Sequence, residues 1–85
     1  MSQVAVKLYD FTLTLAGVDD LTGEVADALF EAGCGDGSLY SDGPVLYLAF
    51  HREADSLGDA IGSAVKDVMR AGFGVARIEV EPANG

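Results

Sequence analysis

From Val4 to Leu15 polar and apolar positions alternate, with Tyr9, Phe11, Leu13 and Leu15 on one parity and Asp10, Thr12 and Thr14 on the other. Side chains of an extended chain point to opposite faces at successive residues, so this alternation predicts a strand with one face in a core and one toward water. Gly17 breaks it. After Val18-Asp19-Asp20 the period changes: Val25, Ala28, Leu29 and Ala32 recur at three-and-four spacing, and Ala26 and Phe30 widen the stripe. That is the spacing of one helix face, with Leu21 able to staple across the start onto Ala26. Thr22 is placed to cap the free amides, Glu24 to meet the positive end of the dipole, and Gly33 to end the helix.

Gly33-Cys34-Gly35-Asp36-Gly37 is too rich in glycine for regular structure and predicts a flexible connection. Ser38 to Ser41 predicts a short edge strand, Asp42-Gly43-Pro44 a turn, and the apolar run Val45 to Phe50 a buried strand, making a hairpin. The longest helical pattern follows, Asp55 to Gly72, with Leu57, Ile61, Ala64, Val65, Val68 and Met69 on one side. Ser56 and Asp59 stand near capping-box spacing, Lys66 and Arg70 lie toward the negative end, and Gly72 is the stop. Gly58 and Gly62, with Ala60 and Ser63, leave a thin surface, read equally as close approach of a sheet or second helix or as tolerated drift. Val75 to Glu81 alternates again, Ala76, Ile78 and Val80 inward and Arg77, Glu79 and Glu81 outward, until Pro82 ends it.

The order is β-α-β-β-α-β, the split βαβ arrangement termed ferredoxin-like: an α+β fold with a four-stranded antiparallel sheet in spatial order 4-1-3-2 and two helices on one face. Residues 1–82 form one domain and residues 83–85 a frayed tail. The opposite sheet face then presents Thr12, Thr14, Tyr47, Arg77 and Glu79, with Val45 and Ala49 between them. This is the expected interaction face; by analogy with the fold, that face or an edge strand pairs with another copy, and a homo-oligomer, specifically a homodimer, is expected.

Composition narrows the partners. A chain of 85 residues has a small core and gains stability from association, and its 49% hydrophobic content argues against disorder despite a formal charge of −9. That charge repels phosphate backbones, and the basic residues at 7, 52, 66, 70 and 77 form no run, so direct nucleic-acid binding is not expected. A lone cysteine forms no internal disulfide, and neither a signal peptide nor an apolar run near membrane-spanning length occurs, so no membrane partner and a cytoplasmic location are expected.

The candidate chemistry is sparse. Cys34 sits past a helix C-terminus near Glu31 and Asp36, a negative field that disfavours the thiolate, and a small buried side chain is the simpler role. Its glycine-rich loop has neither the following helix nor the lysine of a phosphate loop. His51, the only histidine, follows the buried strand beside Arg52 and Glu53, where a surface role is commoner than that of a base. Asp19 with Asp20 and Asp55 with Asp59 lack the alternating-oxygen spacing of a calcium loop, and helix capping accounts for them. No serine has a local relation to His51 of the kind a catalytic triad needs. No catalytic residue, metal ligand or cofactor is therefore expected.

From Phe11 to Pro82 the chain resembles a group of small uncharacterised bacterial proteins, through Gly17-Val18, the run Ala28 to Cys34, Arg52-Glu53-Ala54 and Ala71-Gly72. In some members a helix-turn-helix segment follows this unit, so the resemblance implies a regulatory, antitoxin-like protein whose front part senses or oligomerises. The sequence reaches Gly85 without such a segment, which directs the expectation to the front module rather than to DNA. The leading expectation is thus a non-enzymatic interaction or sensing module that self-associates. Second stands a binder of small, amino-acid-like ligands around Val18, Asp20 and His51, and third an enzyme using His51 with a carboxylate.

Overall fold

A computed structural model describes residues 7–80. The elements in order are β1 (Lys7–Ala16), α1 (Gly23–Glu31), β2 (Gly37–Asp42), β3 (Val45–Ala54), α2 (Leu57–Arg70) and β4 (Gly74–Val80). The sheet order is β2-β3-β1-β4 and every pairing is antiparallel. This is the expected α+β, ferredoxin-like architecture. The expected beginning of the first strand at Val4, the expected end of the last strand at Pro82 and the tail at 83–85 lie outside the described residues.

One core joins the layers. Phe11, Leu13 and Leu15 of β1 and Leu46, Leu48 and Phe50 of β3 meet Leu29 of α1 and Ala60, Ala64 and Val68 of α2. Phe11 pairs with Phe50 across the strands, their rings stacked at 5.3 Å. Because these inward residues all share one face, both helices cover the same side of the sheet. α2 lies close over β1, β3 and β4. Its approach depends on Ala60 and Ala64, both fully buried, whereas a Cβ placed on Gly62 would meet no neighbouring element within 4 Å among the described residues. Of the thin surface expected at Gly58, Ala60, Gly62 and Ser63, Ala60 lies in the core with Ala64, whereas the two glycines face outward.

Both caps form as the residues dictate. Thr22 Oγ1 accepts the Val25 amide at 3.2 Å and Ser56 Oγ accepts the Asp59 amide at 3.1 Å. At the other ends, Gly33 at φ +113° and Gly72 at φ +100° reverse the chain. The amide two residues past each cap reaches back, Cys34 to Leu29 O at 3.0 Å and Phe73 to Val68 O at 3.2 Å. This closure satisfies carbonyls the last turn leaves free, and it turns Cys34 and Phe73 inward.

Some expectations are corrected. Phe30 and Met69 are 70% and 62% exposed, on the margins of their helices rather than in the core, and Leu21 is exposed as well. β3 does not stop at Phe50 but runs through His51 to Ala54, because β1 is long enough to pair with it as far as Lys7. In β4 the register shifts between Arg77 opposite Thr14 and Val75 opposite Leu15, so Ala76 is an extra, bulged residue. Ala76 is exposed, and Val75 takes the inward place expected of it.

Candidate functional site

Where the strands continue past the core, parity brings an arginine inward. Leu46, Leu48 and Phe50 face the helices, and two residues on Arg52 does the same. Its side chain, 11% exposed, lies with its guanidinium carbon 4.8 Å from the centre of the Phe50 ring. Nε and Nη2 donate to the two Asp36 carboxylate oxygens at 2.7 and 2.8 Å. Nη2 also donates to Gly33 O at 2.9 Å, and Nη1 to Ser63 Oγ at 3.0 Å. Asp67 of α2 lies 3.1 Å from Nη1, and its other oxygen is 3.5 Å from Arg70 Nη1. Arg70 further donates to Ala32 O at 3.3 Å.

Two cations and two carboxylates thus tie the α1 C-terminus, the loop, β3 and α2 together. α1 has no basic residue in its own last turn. Arg52 and Arg70 supply positive charge to its free carbonyls from other elements. The hydrogen bond from Arg52, ahead of its charge, holds the Asp36 carboxyl below the usual range, and the same bond raises the Arg52 pKa. Every guanidinium nitrogen is engaged, so Arg52 is a clamp with no donor face left to greet a ligand. The segment Gly33 to Gly37 is accordingly not a flexible connection, as its glycines suggested, but a loop held from both sides.

Cys34 lies under this clamp, 3% exposed. Burial first, then the nearby Asp67, pushes its thiol up to about 11, with Asp36 adding to the rise and Arg52 opposing it. The protonated, inert form is the stable one. Beside it a hollow of about 300 Å³ opens between α1 and the hairpin, with Asp27, Leu29, Phe30, Leu39 and Leu48 in its lining.

The reverse sheet face assembles the residues expected there. Across the strands Tyr40, Tyr47, Thr14 and Arg77 form one row and Ser38, Ala49, Thr12 and Glu79 the next. Tyr40 and Tyr47 stack at 5.2 Å, and Arg77 reaches Glu79 at 3.4 Å. One row on, His51 lies opposite Asp10 and their side chains pair through Nδ1 and Oδ1. A depression of about 300 Å³ lies at this junction, with Asp10, Thr12, Ser38, Ala49 and His51 in its lining.

Val18, Asp20 and His51 are not brought together. His51 is on the reverse face opposite Asp10, whereas Val18 packs on the helix side beyond the end of β1 at Ala16. Six strand residues separate those levels, roughly 20 Å at the usual rise. The Arg52 cluster went unread for a physical reason: its members come from three separated stretches. The available signal was parity, since a charged residue continuing the inward series Leu48, Phe50 by one more step of two requires a partner.

Among the described residues no group of three or more His, Cys, Asp or Glu side chains converges as a metal site, and no helix is long and apolar enough to cross a membrane. Comparison with protein-family models, curated proteins and solved structures finds no match to the chain.

Proposed function

We propose that this chain is a non-enzymatic interaction module that associates with a second copy of itself and regulates a partner through protein contacts, as an antitoxin-like protein would. The observation that carries this reading is the one-sided covering of the sheet. Helices protect the face of Phe11, Leu13 and Leu48, while Thr12, Thr14, Val45, Tyr47 and Ala49 remain part-exposed on the other with no layer over them among the described residues. A surface of small and aromatic side chains rimmed by charge is suited to protein contact. The strongest polar groups support the same reading, because Arg52, Asp36 and Asp67 are consumed in holding the fold. Size-exclusion chromatography with light scattering tests the self-association. A mass twice that of the chain is expected, and a strict monomer at high concentration overturns it.

The second reading, a binder of small amino-acid-like ligands, is favoured by the depression beside Asp10 and His51 rather than by the surroundings of Val18 and Asp20. Hydroxyls of Thr12 and Ser38 and the Asp10–His51 pair would give an amphoteric ligand both donors and acceptors. Thermal shift against an amino-acid panel separates the readings: a ligand at a hundred times its Kd adds about 2.7 kcal/mol.

A further inference from the structure

The β4 edge is chemically self-complementary. β4 is the last strand of the sheet, so its outer edge has no strand partner among the described residues. Ile78 and Val80 lie opposite Leu13 and Phe11, hence on the helix side, yet each is 45% exposed. On α2 the flank carrying Ser63 and Asp67 turns to Arg52. The opposite flank, with Ile61, Val65 and the exposed Met69, looks toward β4. An apolar strip therefore runs along an open strand edge. On the reverse side of that edge Arg77 and Glu79 alternate with it.

We propose that two copies of the chain pair antiparallel along β4, in a register centred on Ile78, to make one continuous eight-stranded sheet. Reading the strand against itself about Ile78 sets Arg77 opposite Glu79 of the partner subunit and Glu79 opposite Arg77 of the partner subunit. Directly opposed Cβ atoms stand about 4.5–5.5 Å apart, so two opposite-charge pairs form on the reverse face, replacing the Arg77–Glu79 contact within each copy, while the isoleucines meet on the helix face. Paired residues of an antiparallel ladder share a face, so the α2 flanks of the two copies come to the same side, above the seam. The bulge at Ala76 ends the ladder two residues from its centre. A two-fold contact uses both β4 edges, so β4 pairing stops at two copies.

The other edge lacks this property. β2 is bordered by Asp36 and ends at Asp42. Gly37 to Asp42 holds no basic residue, so no register of this strand against itself sets opposite charges face to face.

The inference rests on the self-association proposed above and names where it occurs. It leaves the reverse face uncovered and doubles its width for a further partner. Charge reversal tests it. Arg77→Glu makes both positions acidic and Glu79→Arg makes both basic, so each variant repels its own kind and attracts the other. In light scattering, each variant alone should dissociate about tenfold or more readily than the native chain. Their equimolar mixture should recover a dimer. As a second measurement, Ile78→Cys places a thiol on the two-fold, within disulfide reach of its mate, and should give a covalent dimer on mild oxidation. A native dimer indifferent to both reversals, or a mixture as weak as its components with Ile78→Cys failing to cross-link, overturns the β4 register and leaves self-association standing. A monomeric native chain overturns both.

Discussion

Arg52 shows how one side chain can decide whether a loop is a loop. Its fork meets Asp36, Asp67, Ser63 and the Gly33 carbonyl at once. Removing it leaves exposed Asp36 without its cation and part-buried Asp67 with Arg70 alone, and takes a donor from the Gly33 carbonyl. Arg52→Ala should therefore cost about 2–4 kcal/mol in urea unfolding. Arg52→Lys should recover only part of this, because one ammonium cannot match a bidentate carboxylate and a carbonyl together. The pH dependence follows from Asp36. Its folded pKa lies below the ordinary 3.8, so the unfolded chain takes up the proton first. The stabilisation is complete above that ordinary value and is lost as pH falls through the folded one. Native stability should fall in that acid window, and Asp36→Asn should flatten the fall while lowering stability at neutral pH. Cys34 makes a related prediction. A thiol moved from 9.0 to about 11 holds on the order of a hundredfold less thiolate at neutral pH, so iodoacetamide should label the native chain at least that much more slowly than the chain in urea.

At the scale of elements, the strands, helices and caps were legible because each is written in local periodicity and local chemistry. Thr22, Ser56, Gly33 and Gly72 occupy the positions their side chains or backbone freedom favour. What local pattern could not supply was which apolar residues the neighbours would cover. Phe30 and Met69 fit their helical stripes, but the sheet beneath is finite, and the stripe's margin projects past it. The bulge at Ala76 was hidden for a similar reason: alternation in β4 is regular in sequence, and only the pairing with β1 introduces the extra residue. Two glycines separate local from tertiary effects. Gly62 lies within α2 in open space, so Gly62→Ala should raise stability by about 0.5–1 kcal/mol through backbone propensity alone. Gly33 combines φ +113° with an Asp67 oxygen 2.9 Å from where a Cβ would stand. Gly33→Ala should destabilise by about 2 kcal/mol or more, through left-handed strain and displacement of the clamp carboxylate, and a paired thermal melt of the two variants measures the contrast.

For the whole molecule, the reverse face was legible because parity carries it, while any ligand grouping across strands depended on register that alternation does not specify. The same balance of local and distributed forces governs association. Each copy carries a formal charge of −9. If two such charges sit one sheet width apart, roughly 20 Å, their unscreened repulsion in water is roughly 17 kcal/mol. Screening over a Debye length of about 10 Å at 0.1 M salt cuts this to about 2 kcal/mol, whereas about 30 Å at 0.01 M leaves about 9. The two Arg77–Glu79 contacts across the seam contribute about 0.2–1 kcal/mol each and weaken with salt. Distributed repulsion therefore outweighs the local pairs, and added salt should tighten the dimer despite its ionic seam. Sedimentation equilibrium at 0.01 M and 0.1 M sodium chloride should show a dissociation constant at least about tenfold smaller at the higher salt. A constant that instead grows with salt would mean that the seam charges dominate and that the acidic surfaces lie farther apart than an edge-to-edge sheet places them.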